Sequence, residues 1–314
     1  MLDILCNARG VSGYEASVSK MIYGMLVDED LDDLKIDNVG NVICYRKGKN
    51  SNKKIMISVH LDEVGFQVIK KISQYKYRIK PLGNIKTWNA YQQRVWSDSF
   101  NGIIRAFDED NLKAHNYENL YLECYSEQNI KIGEVFTFGE NFVENDTYFC
   151  GKALDDRIAC YLLINIIKKS IKTNNDLYYV FTTQEEVGMR GFRVAKTSIK
   201  PDCCVSIDTT PEGDMSSIEL AKGVGIKISD SLGISSQKYV DYLTQVAIEK
   251  NINFQLEVSD CGTSEIIISN EQDFGHDEVG ISIPCKFPHS SNTVVWKDDF
   301  EACGRLLYEF IGKL

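Results

Sequence analysis

The 314-residue chain has no run of basic residues, and its formal net charge is −10. A nucleic-acid binder neutralises phosphates with clustered Lys and Arg, so that class is excluded. No uninterrupted apolar stretch approaches the ~20 residues a membrane helix needs. The opening Met1-Leu2-Asp3-Ile4-Leu5 lacks a basic segment leading into an apolar one, so it predicts no export signal. Among ten cysteines there is no Cys-x-x-Cys spacing, which argues against a zinc–thiolate centre. Cys44, Cys160 and Cys285 fall inside apolar runs and read as reduced, small hydrophobes of a cytoplasmic protein. Histidine is scarce: His60, His115, His276 and His289 are the full set.

What is present is the alternation of an α/β protein, in a chain long enough for one or two domains. Lys54 to His60, Leu177 to Thr183, Cys203 to Asp208 and Val279 to Pro284 read as buried strands, with a shorter strand at Asn41 to Tyr45. Between them lie helical patterns over residues 14–27, 157–169 and 239–250, and Asp298-Asp299 start a C-terminal helix. Strands alternating with helices predict an α/β sheet covered on both faces. Residues 66–147 break the rhythm. Short alternating segments at 66–69, 75–79, 94–96, 101–106 and 135–138, with a polar loop over 108–119, predict a small all-β insertion.

The chemistry gathers at strand ends. Thr183-Gln184-Glu185-Glu186-Val187-Gly188 follows an apolar run, and successive residues of an extended chain point to opposite sides. One glutamate can then bind a metal while its neighbour faces a reacting water. His60 closes a strand, with Asp62 two residues on to orient its ring. Asp155 opens a helix, Asp208 closes the run Val205-Ser206-Ile207, and His289 follows the strand at 279–284. Each has an ordinary reading: a satisfied strand-end histidine, a helix cap, a turn aspartate. Taken together, five donors and a spare glutamate suit a two-metal hydrolytic site. His115 and His276 read as solvated loop residues.

The segments His60-Leu61-Asp62-Glu63-Val64-Gly65, Gly151 to Arg157, Gln184 to Gly191, Ser206-Ile207-Asp208 and Ile281 to Ser290 resemble the motif series of the glutamyl-aminopeptidase and tetrahedral-aminopeptidase family. Gly10-Val11-Ser12-Gly13-Tyr14-Glu15 is similar to that family's opening segment. The resemblance implies a phosphorylase/hydrolase-like three-layer catalytic domain over 1–65 and 148–314, with a β-rich dimerisation insertion over 66–147. It implies two divalent ions per subunit (zinc, with cobalt or manganese as alternatives). Asp155 would bridge them, His60 and Asp208 would hold one, and Glu186 and His289 the other. Glu185 would be the general base and Asp62 would orient His60. A strained peptide bond after Asp155, with cis as one form of it, is implied as well. Short peptides would be the substrates of a cytoplasmic, dimer-based homo-oligomer, up to a dodecamer, with no nucleic-acid or membrane partner.

Two departures stand out. Cys261-Gly262-Thr263-Ser264-Glu265 occupies the family's Gly-Gly-Thr-Asp-Ala segment, so Ser264 replaces an acidic residue, and the insertion looks short. They keep open a degenerate member that only assembles or binds peptides. Some family members carry an endoglucanase label, but a glycosidase needs two carboxylates ~5–5.5 or ~6.5–9.5 Å apart and no histidines.

Overall fold

Residues 1–125, 129–266 and 275–314 are described by the computed structural model. The chain enters through helices α1 (Leu2–Asn7) and α2 (Ala16–Leu26), antiparallel strands β1 (Asp33–Ile36) and β2 (Val42–Arg46), and the central strand β3 (Lys54–His60). It then leaves the sheet for β4 (Gly65–Ser73), β5 (Lys76–Leu82), the single turn α3 (Thr87–Ala90), β6 (Arg94–Trp96), β7 (Asn101–Ala106), β8 (Leu120–Glu123) and β9 (Val135–Phe138). These six strands close into a barrel in the order β4-β5-β8-β7-β6-β9. The chain returns through β10 (Val143–Glu144), β11 (Tyr148–Gly151), α4 (Leu154–Lys168), β12 (Asp176–Thr182), α5 (Arg190–Ile199) and β13 (Cys203–Pro211). It ends with β14 (Val224–Ser229), α6 (Gln237–Glu249), β15 (Phe254–Val258), β16 (Asp277–Lys286), β17 (Thr293–Trp296) and α7 (Lys297–Lys313).

β12, β3, β13 and β16 lie side by side and parallel. Strands buried on both faces read as near-continuous apolar runs, which is why these four were visible in the sequence. On one face Ile55, Ile57, Val59, Val205 and Ile207 pack under α4, α6 and α7, with Ile158, Leu162, Leu163, Val246 and Leu307 among the covering side chains. On the other, Met56, Val180 and Cys204 meet Phe192, Ala195 and Ile199 of α5. The expected α/β sheet with both faces covered is the observed one. α5 was not anticipated, because its apolar face is only that narrow stripe between Arg and Lys residues. β14 and β15 also went unread. β15 is half solvated, and a lysine interrupts β14.

The barrel fills its own interior. Phe66 stacks on Phe136 at 5.4 Å between ring centroids and meets Phe138 edge-on at 5.5 Å, within a cluster that includes Val68, Ile79, Ile104 and Leu122. Period-2 alternation over short strands matches this one-sided burial. A buried ion pair ties the barrel to the sheet. Lys152 Nζ donates to both carboxylate oxygens of Glu63, at 3.0 and 2.8 Å, and to the Ala8 carbonyl at 3.2 Å. Glu63 also accepts the Gly10 amide and the Thr137 hydroxyl of β9. All ten cysteines are free thiols. Among the described residues no helix is long and apolar enough to cross a membrane.

Candidate metal centre

Neighbouring parallel strands end on the same side of a sheet, so residues at their C-terminal ends converge. His60 ends β3, Asp208 lies late in β13, the turn 183–188 follows β12, and His289 follows β16. Asp155 enters from the start of α4. The Asp155–Asp156 peptide bond is cis, one of the forms the resemblance allowed. Both aspartates depart from helical geometry, and regular helix begins at Arg157.

The side chains form two groups that share one carboxylate. His60, Asp155 and Asp208 each place one donor atom within 4.8 Å of the others, and so do Asp155, Glu186 and His289. Asp155 Oδ1 lies 3.3 Å from His60 Nε2, and its Oδ2 lies 3.3 Å from His289 Nε2. Asp208 Oδ1 stands 3.7 Å from His60 Nε2, and Glu186 Oε2 stands 3.2 Å from His289 Nε2. His289 Nδ1 donates to the Asn84 carbonyl at 2.9 Å, which leaves its Nε2 lone pair for the cluster. His60 Nδ1 faces Asp62 Oδ1 at 3.5 Å. His115 and His276 lie outside both groups: His115 is exposed beside Tyr117, and His276 is half-buried against Cys204.

The electrostatics are those of a site short of positive charge. Burial opposes a charge on His60, yet Asp155, Asp208 and Asp62 hold its imidazole well above the usual range. Burial opposes the charge on His289 too, and Glu186 and Asp155 overcome it. Burial would raise Asp155, but the two imidazoles bring it below the usual carboxylate range. Glu185 goes the other way, driven well up by burial and further by Asp208, Glu186 and Asp62. Buried Glu186 Oε1 and Asp156 Oδ1 have no hydrogen-bond partner. Unfilled carboxylate oxygens beside imidazole nitrogens are a donor set that suits divalent cations, and mixed N/O ligation accepts zinc, cobalt or manganese.

The cluster opens into a cavity of about 580 Å³ that Glu185 also lines. Thr210, Lys227, Thr263 and Phe287 form part of its wall. Lys227 was not singled out in the sequence, although a lysine inside the apolar run Val224-Gly225-Ile226 was a usable signal. Its buried ammonium lies 3.5 Å from Glu257 Oε1 and 3.7 Å from Asp230 Oδ2. Ser264 donates both its amide and its hydroxyl to Asp230 Oδ2, at 2.9 and 2.8 Å. An acid is thus present at Ser264 after all, delivered from β14's exit loop. Glu265 points under the sheet end, accepting from Ser58 Oγ at 2.5 Å and Thr182 Oγ1 at 2.6 Å, and burial pushes its carboxyl up to about 7.

Comparison with known proteins gives one answer. The sequence matches the M42 glutamyl aminopeptidase family over residues 40–306. It is 28% identical to the lysyl aminopeptidase of Pyrococcus furiosus over 317 residues, covering 92% of this chain and 90% of that one. An aminopeptidase from the archaeon Desulfurococcus kamchatkensis superposes with a TM-score of 0.92 at 27% identity, over 100% of this chain and 94% of that one. A Thermotoga maritima structure named endoglucanase gives 0.82 at 26% identity, over 100% and 97%. The chain belongs to the M42 glutamyl aminopeptidase family and is a peptide-bond hydrolase.

Proposed function

We propose that this protein is a dinuclear metal-dependent aminopeptidase that removes N-terminal residues from short peptides. The observation that carries the reading is the division of Asp155, one oxygen toward each imidazole. In this reading His60 and Asp208 would hold one ion and Glu186 and His289 the other, with Asp155 a ligand to each. The ions would supply Lewis acidity at the scissile carbonyl and lower the pKa of the attacking water.

The chain's own groups do the rest. Glu185 takes the proton from the water and returns it to the leaving amine. Asp62 faces His60 Nδ1 at 3.5 Å and accepts the amides of Glu185 and Glu186, so one carboxylate stands against a ligand and the base's turn together. The loaded centre would anchor the substrate's free α-amine, which an internal residue cannot offer. Ile69, Ile72, Tyr75 and Phe107 are exposed apolar side chains on the barrel, and they support a homo-oligomer contact there.

A panel of aminoacyl p-nitroanilides, read alongside bound-metal analysis, tests the reading. Glu185→Gln should retain the wild-type metal content and lose at least ~100-fold in turnover. Near-normal turnover in that variant would sink the assignment. Metal-loaded protein with no activity on any peptide would favour the binding role instead. Chelator-insensitive cleavage of cellulose would favour the glycosidase suggested by the Thermotoga relative's name.

A further inference from the structure

The turn after β12 departs from the regular ladder and is held from outside. Four successive amides point at side chains from three distant segments. Thr183 N–H donates to Asn41 Oδ1 at 2.9 Å, and Gln184 N–H to Glu15 Oε1 at 3.0 Å. Glu185 N–H and Glu186 N–H donate to Asp62 Oδ1 and Oδ2, at 2.9 and 3.2 Å. Gln184 itself sits in the left-handed region at φ +56°, a conformation that a non-glycine residue keeps only when its surroundings specify it.

The N-terminal segment supplies much of that specification. Glu15 is 4% exposed, and the same Oε1 that receives Gln184 also accepts the Gly13 amide at 2.7 Å. Ser12 Oγ donates to Asp62 Oδ2 at 2.6 Å, so the segment also braces the carboxylate that holds the next two amides. It is fixed in turn by the Ser12 amide on the Glu63 carbonyl and by a bridge between Val11 and Glu63. Both Ser12 and Glu15 lie before residue 40, where the family match begins.

We propose that Glu15 is a positioning residue of the reaction, fixing through Gln184 the turn that aims Glu185 at the water and Glu186 at its metal. The proposal rests on the reading of Glu185 as base and Glu186 as ligand. Groups that orient ligands at one remove commonly cost 10–100-fold in metal affinity or activity when lost. Glu15→Leu removes the acceptor at similar size, Glu15→Gln keeps an acceptor oxygen in place, and Glu15→Asp keeps the carboxyl group but withdraws its reach.

The experiment measures kcat and KM, metal affinity by chelator competition, and hydrogen exchange of the peptide 183–189. Glu15→Leu and Glu15→Asp should lower kcat about 10–100-fold with KM nearly unchanged, weaken metal binding, and speed exchange of that peptide. Glu15→Gln should restore all three. In a Glu185→Gln background, Glu15→Leu should cost little further turnover, because residues acting as a unit are not additive. Wild-type kcat in both Glu15→Leu and Glu15→Asp, unchanged exchange, or a fully additive loss would each overturn the proposal. If Glu15→Leu fails to fold, Glu15→Asp and Glu15→Gln decide it. Failure of the peptidase reading shows separately, as normal turnover in Glu185→Gln alone, and metal affinity and exchange then decide the role of Glu15.

Discussion

Replacing Lys152 by methionine isolates the buried pair that joins barrel, sheet and N-terminus. The two side chains are 0% and 2% exposed, and the ammonium contacts both oxygens of Glu63. Breaking such a pair by removing one partner costs about 3–5 kcal/mol, because the remaining charge is stranded. Here the upper part of that range is out of reach. Glu63 keeps two neutral donors, from Gly10 and Thr137. The expected deficit in Lys152→Met is therefore about 3 kcal/mol at pH 7. Urea denaturation at fixed protein concentration reads it as a midpoint shift with unchanged slope. Adding Glu63→Gln should recover most of the loss at pH 7. A deficit below about 1 kcal/mol at pH 7 would refute the reasoning.

Glu265 offers a test of opposite sign to a normal carboxylate. Burial pushes its carboxyl from the ordinary 4.5 up to about 7, so the native state holds a proton that the unfolded chain has released. Its contribution is full below pH 4.5 and is lost as pH rises through 7, amounting to about 3 kcal/mol. In chelator-treated protein, stability of Glu265→Gln relative to wild type should therefore climb between pH 4.5 and 8, and a flat difference would contradict the burial argument. Metal dependence has its own thermal signature. The midpoint should rise with the logarithm of added divalent cation and fall back with chelator, since a ligand bound only by the native state stabilises by mass action. An unmoved midpoint would remove the case for ions at the carboxylate–imidazole cluster.

How much of this was legible beforehand follows from where each signal is stored. β3, β12, β13 and β16 announce themselves because both faces are buried and each carries a short apolar run. The candidate ligands were legible for a related reason: a His or Asp that ends such a run has few ordinary explanations. α5 was not legible, because Phe192, Ala195 and Ile199 alone carry its burial pattern against the sheet. The support around the site was hidden more deeply. Glu15 and Gln184 are 169 positions apart, and nothing local in either segment names the other. Ser264 misled for the same reason. Read alone it is a lost acid, and only the fold brings Asp230, 34 residues earlier, up to its hydroxyl.

The positions of the cluster along the chain bear on when the protein can act. His60, Asp155, Glu186, Asp208 and His289 are spread from residue 60 to residue 289. Contacts this distant in sequence are paid for late in folding, after the loops between them have closed. A chain emerging N-terminus first therefore lacks the group of Asp155, Glu186 and His289 until β16 has paired with β13 and delivered His289. On the proposed two-ion reading, a centre still missing that group would leave the chain inactive until then, by topology alone. Its onset of activity would then report completion of the fold.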